Sequence, residues 1–151
     1  MSKAEFGRRG IGLGAEPFFF ERRGKRPDGS DVHVAFTLAF AQSPAIQDAG
    51  FFVCQQHNPQ AFWNPAFQAH ANTVMGIASV VMVSDTPHEQ ARFLAEFCGA
   101  EGTCTVDGGE AADTGRGLIE AITPAALVKR YGEEALPTKH SAPSFAAVRF
   151  K

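Results

Sequence analysis

Between Asp31 and Ala41 the chain alternates with a period of two: Val32, Val34, Phe36, Leu38 and Phe40 fall on one face, and Asp31, His33, Ala35, Thr37 and Ala39 on the other. Successive side chains of a strand point to opposite faces, so this pattern predicts a strand whose Val-Phe-Leu face is buried. Residues 17–23, with three consecutive Phe, predict a preceding strand. Arg26-Pro27-Asp28-Gly29 supplies the turn, proline fixing φ and glycine accepting φ > 0, so the two strands form an antiparallel hairpin. Upstream, residues 2–9 read as the end of a short helix stopped by Gly10, Gly12 and Gly14. Downstream, residues 50–57 are apolar on both faces in their first half, which predicts a third, central strand. Residues 58–75 read as a long loop in which Trp63, with Phe62 and Phe67, anchors the segment to the body.

A second unit begins at Gly76. Residues 77–84 are a β-branched apolar strand. Thr86-Pro87-His88-Glu89 opens a helix with an N-cap, a proline at the first position and a capping box. Phe93, Leu94, Phe97 and Cys98 form its apolar stripe and Gly99 its stop. Short strands fit 102–106, 111–114 and 117–122, the first two separated by the turn Asp107-Gly108-Gly109. Thr123-Pro124 opens a second helix that ends at Gly132. A polar linker, 133–143, leads to a last strand at 144–150. The domain reading is therefore 1–75, 76–132 and 133–151. The first helix has little apolar face, which suggests that the chain is the C-terminal part of a longer protein or has an unusual start.

Composition narrows the function classes. With 151 residues, 44% apolar, the chain is long enough for its own core. A formal charge of −2 argues against nucleic acid as an obligate partner, although residues 1–30 carry seven Lys or Arg against four Asp or Glu. No apolar run reaches the ~18–20 residues of a membrane span. Three cysteines without CxxC spacing, Cys54 and Cys98 in apolar runs, fit a reducing cytoplasm without a disulfide framework. Gly10-Ile11-Gly12-Leu13-Gly14 lacks the spacing of a dinucleotide site, and neither a nucleophile elbow nor a phosphate-binding loop is present.

The order from Gly76 to Ile122 is strand, helix, strand, strand, strand, and residues 2–57 look like the same unit without its first strand. The stretches Glu16 to Gly29 (Glu-Pro-Phe-Phe-Phe-Glu-Arg-Arg-Gly-Lys-Arg-Pro-Asp-Gly), Phe51 to His57 (Phe-Phe-Val-Cys-Gln-Gln-His), Phe62-Trp63-Asn64-Pro65 and Gly117-Leu118-Ile119-Glu120 resemble a glyoxalase-like domain family of the vicinal-oxygen-chelate superfamily. The resemblance implies an α+β fold of paired βαβββ modules, a curved mixed sheet with helices outside. It implies a small-molecule enzyme, or part of one, in which a divalent metal (Zn, Fe, Ni or Mn) polarises adjacent substrate oxygens. It names no substrate and no reaction.

Metal ligands in that superfamily come from a first strand, often His, and a last strand, often Glu. Glu120 stands at the last-strand position, whereas Ser79 or a neighbour stands where the first-strand His is expected. His57 is the best imidazole candidate, so His57 and Glu120 are the expected metal pair. Gln55 shares a strand face with His57; aligning Asn58-Pro59 with Thr123-Pro124 sets it opposite Glu120, whereas aligning Gly50 with Gly117 sets Val53 there. Gln55, His33 and Trp63 are expected to contact a small-molecule substrate. Plainer readings stand beside these: His57 bonded to its loop, His33 in solvent, and Glu120 paired with Arg116 or Lys129, since an unpaired buried carboxylate costs several kcal/mol. His70, His88 and His140 read as surface residues. The missing first-strand His favours a metal-free binding module as the alternative. A third reading is a structural half completed by a missing N-terminal segment or a second subunit, and a homodimer is expected, with strand 144–150 filling the vacant place beside residues 17–57 either in its own chain or across the dimer.

Overall fold

The computed structural model describes residues 3–26, 28–47, 49–61, 63, 69–138 and 143–151. Among these it is a mixed α+β fold, with two sheets and flanking helices. In the first half, helix α1 (Lys3–Arg8) precedes β1 (Gly12–Leu13), β2 (Phe18–Lys25), β3 (Asp31–Gln42) and β4 (Phe51–Gln56). β3 is the central strand, with β1 and β2 end to end along one side and β4 along the other, all antiparallel. The hairpin forms as the turn chemistry requires. Gly29 adopts φ +82°, and Asp28 Oδ1 accepts from the Ser30 amide at 2.9 Å; Pro27 lies outside the described residues.

The second half is β5 (Ile77–Val83), α2 (Pro87–Cys98), β6 (Thr103–Val106), β7 (Gly109–Asp113), β8 (Leu118–Ile122), α3 (Pro124–Tyr131) and β9 (Ser144–Phe150). Its sheet runs β6-β7-β8-β5-β9, with β5 parallel to β8 and the other pairs antiparallel. A parallel pair needs a crossover, and α2 begins it. Gly99, at φ +78°, caps α2 with its amide and that of Ala100 returning to Glu96 and Ala95. Thr123 caps α3, its Oγ1 accepting from the Ala126 amide at 3.2 Å. Thr123→Ala should cost about 1 kcal/mol. A urea melt with unchanged slope and a lowered midpoint would show it, and no shift would mean that the cap is idle.

Two cores form. Phe6, Ile46 and Phe51 from the first half meet Met82, Leu94 and Ala121 from the second, with Ala39 and Ala41 beneath. Val81, Val83 and Ile122, on the other face of the second sheet, pack under Ala126 and Leu127 of α3. The two faces alternate along β8, Ala121 going to the first core and Ile122 to the second.

Five expectations need correction. First, the buried face of β3 is the alanine face: Ala35, Ala39 and Ala41 are buried, whereas Phe40 is exposed and Val32 to Leu38 on the other face are half-buried. That face shares its core with Phe6 of α1 and Leu94 of α2. Second, β4 pairs with β3 alone among the described residues and so lies at an edge, with Phe51 buried but Phe52 51% exposed. Third, β9 joins β5 rather than the first sheet, Val148 opposite Val80, fastened by Lys151 and Gly76 exchanging backbone hydrogen bonds at 2.9 and 3.2 Å. It touches the first sheet through Phe145, whose ring lies 6.0 Å from that of Phe51. Fourth, Thr86 makes no side-chain bond to the α2 backbone, and its Oγ1 instead accepts from the side-chain Nε2 of Gln90 at 3.3 Å. Fifth, Trp63 is 59% exposed and does not anchor its loop; Phe62 and Phe67 lie outside the described residues.

Candidate functional site

Strand β8 reads Leu-Ile-Glu-Ala-Ile, and its one charge, Glu120, is 1% exposed. The residue sits on the face that carries Ile122, beneath α3. Helix α3 brings Arg130 in its last turn, and β9 brings Arg149 across β5, in register with Ser79. Arg130 Nη1 donates to Glu120 Oε2 at 2.6 Å and Arg149 Nη1 to Oε1 at 3.2 Å. Each carboxylate oxygen thus receives one guanidinium. Arg130 also donates to the Asp107 carbonyl, and Lys129 Nζ to Asp107 Oδ2 at 3.0 Å, so the β6–β7 turn and α3 are tied together.

Burial by itself would raise the pKa of Glu120. The adjacent Ser79 hydroxyl and the two guanidiniums outweigh it and hold the carboxyl below its ordinary value of 4.5. Ser79 is 1% exposed, and its Oγ, close enough to favour the ionised form, lacks a hydrogen bond of good geometry. Over this group opens a cleft of about 510 Å³ lined by Val106, Asp107, Leu118, Glu120, Arg130, Tyr131 and Arg149. Arg149 is half-exposed at its wall.

Three of the other expected site residues, Gln55, His57 and His33, lie on the first sheet or at the end of its strand β4. His57 Nε2 and Thr37 Oγ1 are hydrogen-bonded at 2.8 Å, and the imidazole lies 5.8 Å from the Phe19 ring. Thr37 is in register with Gln55, so Gln55, His57 and Thr37 share one exposed patch, on the face of the sheet that also carries Ala39 and Phe51. His33 is exposed and bonds Glu21 Oε2 at 3.0 Å, beside a cleft of about 410 Å³ that it shares with Arg23 and Asp31. Trp63, in the loop beyond β4, is 59% exposed. His88 is exposed on Glu110 at 2.8 Å, His70 is exposed, and His140 lies outside the described residues.

The structure therefore brings Gln55 to His57 but not His57 to Glu120. The imidazole belongs to the face that meets the first core, and the carboxylate to the opposite face of the other sheet, above the second core. The donor set around Glu120 does not fit a divalent cation either, because both oxygens face cations that would repel it. Among the described residues no three His, Cys, Asp or Glu side chains converge as ligands. Of the partners expected for Glu120, Lys129 binds Asp107 instead, and Arg116 is not among the groups bonded to the carboxylate. Arg130 and Arg149 take that place, and sequence reasoning missed both. No protein-family model, curated protein or solved structure matches the chain.

Proposed function

We propose that the chain is a metal-free small-molecule-binding module whose ligand site is the Glu120 cleft, and that the ligand carries a planar anionic group on an apolar body. The observation that carries this reading is the arrangement of one buried carboxylate between two arginines on the floor of an open cleft. A guanidinium has five donors, and Glu120 takes one recorded bond from each arginine, so the fork of half-exposed Arg149 retains donors for a carboxylate or phosphate. The lining sets Arg130 and Arg149 against Glu120 and Asp107, and the Asp107 carboxylate is itself taken up by Lys129 Nζ at 3.0 Å. Leu118, Val106 and the Tyr131 ring supply apolar wall. The succession β5-α2-β6-β7-β8 supports the glyoxalase-like reading for the second half, as a scaffold for binding without metal chemistry.

The test is titration of the full chain with benzoate, phenyl phosphate and neutral benzamide, followed by backbone NMR. Benzoate or phenyl phosphate should move the amides of Leu118, Glu120 and Arg149, and benzamide should bind at least tenfold more weakly. Arg149→Met should remove the preference for the anion while leaving the dispersion of the spectrum intact. If no cleft amide moves at millimolar anion, or if benzamide binds as well as benzoate, the reading is wrong.

A further inference from the structure

The alternation that marks Val32 to Phe40 for burial goes unmet within the single chain. Register places Phe18 beside Leu38 and Cys54, Phe20 beside Phe36, and Phe40 beside Phe52, all on one face of the first sheet. The rings pack among themselves: Phe20 and Phe36 stack at 4.9 Å and Phe40 and Phe52 lie 5.6 Å apart. Yet Phe18 is 58% exposed, Phe52 51% and Phe40 36%. The opposite face of the same sheet is the one that meets α1 and α2.

We infer that this face is the contact surface for a second copy of the chain, the two sheets stacking face to face about a two-fold axis. Three observations favour a copy over other occupants. The area is of the right order: the three exposed rings alone offer roughly 300 Å², and the half-buried apolar residues between them bring the patch to the upper range of what monomers expose, roughly 300–600 Å². Polar rim residues would extend it toward the ~800 Å² per partner of a stable complex. The strand positions on this face carry one charge, Arg22, and the other basic residues of the hairpin end, Arg23, Lys25 and Arg26, stand against Glu21, Asp28 and Asp31, so a nucleic acid or an anionic lipid surface meets no strong basic excess there. The face is apolar from row to row, Phe18, Leu38 and Cys54 lying between the Phe20–Phe36 and Phe40–Phe52 pairs, so an isologous contact would set like apolar surface against like. This is a different route from exchange of β9, which is already paired to β5.

Sedimentation equilibrium of the full chain should give twice the 16.2 kDa chain mass at micromolar concentration. Phe18→Asp combined with Phe52→Asp should weaken the dimer by roughly 100-fold or more, because buried aromatic anchors dominate such contacts. Val148→Asp combined with Phe150→Asp, on the exposed edge strand β9, should leave it intact. A measurement without substitutions uses the thiols: alkylation of Cys54 should slow as protein concentration rises, while that of exposed Cys104 stays constant. A wild-type chain that is monomeric at 100 micromolar overturns the inference, whatever small molecule then occupies the face. So does a dimer broken by the β9 pair alone, or a Cys54 rate independent of concentration.

Discussion

Gly108→Ala is expected to destabilise the protein by about 3 kcal/mol or more and to abolish binding at the Glu120 cleft. Two independent costs meet at this residue. Its φ of +80° is one that L side chains adopt at a penalty of about 1–2 kcal/mol. A Cβ built there would also lie 2.1 Å from the Ala126 Cβ, so the β6–β7 turn and the first turn of α3 would have to part. Overpacking of that kind costs about 1–3 kcal/mol. The separation matters for the site because Asp107, next to the glycine, is bonded by Arg130 and Lys129 from α3. Moving α3 therefore draws Arg130 away from Glu120. Gly115→Ala is the control: its φ is +74°, but a Cβ there meets nothing within 4 Å, so only the backbone cost applies. Urea melts should show Gly108→Ala losing at least twice as much as Gly115→Ala. Equal losses would mean that the close approach of turn and helix is not what holds α3 in place.

The elements were legible where local chemistry decides them. Asp28-Gly29 fixed the hairpin, Gly99 stopped α2 and Thr123 capped α3, each through contacts within a few residues. What was not legible is what faces what. The alternation of Val32 to Phe40 identifies a strand but cannot say which face meets the rest of the chain, and it is the alanine face that joins the core with Phe6 and Leu94. Residues 144–150 read as a strand, but nothing local says which edge they join. That single unknown hid Arg149, which reaches Glu120 only because β9 lies beside β5. Arg130 was hidden in the same way by the direction in which α3 folds back over β8. The need of Glu120 for a partner was visible, since a charge in an apolar strand demands one. The identity of the partner depended on strand order.

Replacing Glu120 should give the other large effect, and its size should depend on the arginines more than on the carboxylate. Glu120→Gln keeps the shape but leaves Arg130, 18% exposed, without its counter-charge, while half-exposed Arg149 can turn to water. Breaking a buried pair from one side costs about 3–5 kcal/mol; with Arg149 free to hydrate, a loss of about 2–3 kcal/mol is expected at pH 7. Glu120→Leu combined with Arg130→Met removes the stranded charge as well, and should recover to within about 1 kcal/mol of the wild type, since well-packed apolar groups often replace a buried pair at little cost. The pH dependence has a definite sign. The folded pKa of Glu120 lies below its ordinary 4.5, burial opposing the shift while Ser79, Arg130 and Arg149 drive it. The unfolded chain therefore takes up the proton first as pH falls. The contribution of the ionised group is full above about pH 4.5 and is lost as pH falls through the folded pKa. Asp28, Asp107 and Glu110 are shifted the same way and weaken the wild type and the variant alike, so the difference between them isolates Glu120. In paired urea melts the gap between wild type and Glu120→Gln should be constant from pH 7 to pH 5.5 and narrow in more acid solution. A gap that widened toward acid would mean that the folded protein holds Glu120 protonated, and the buried ion cluster would have to be abandoned.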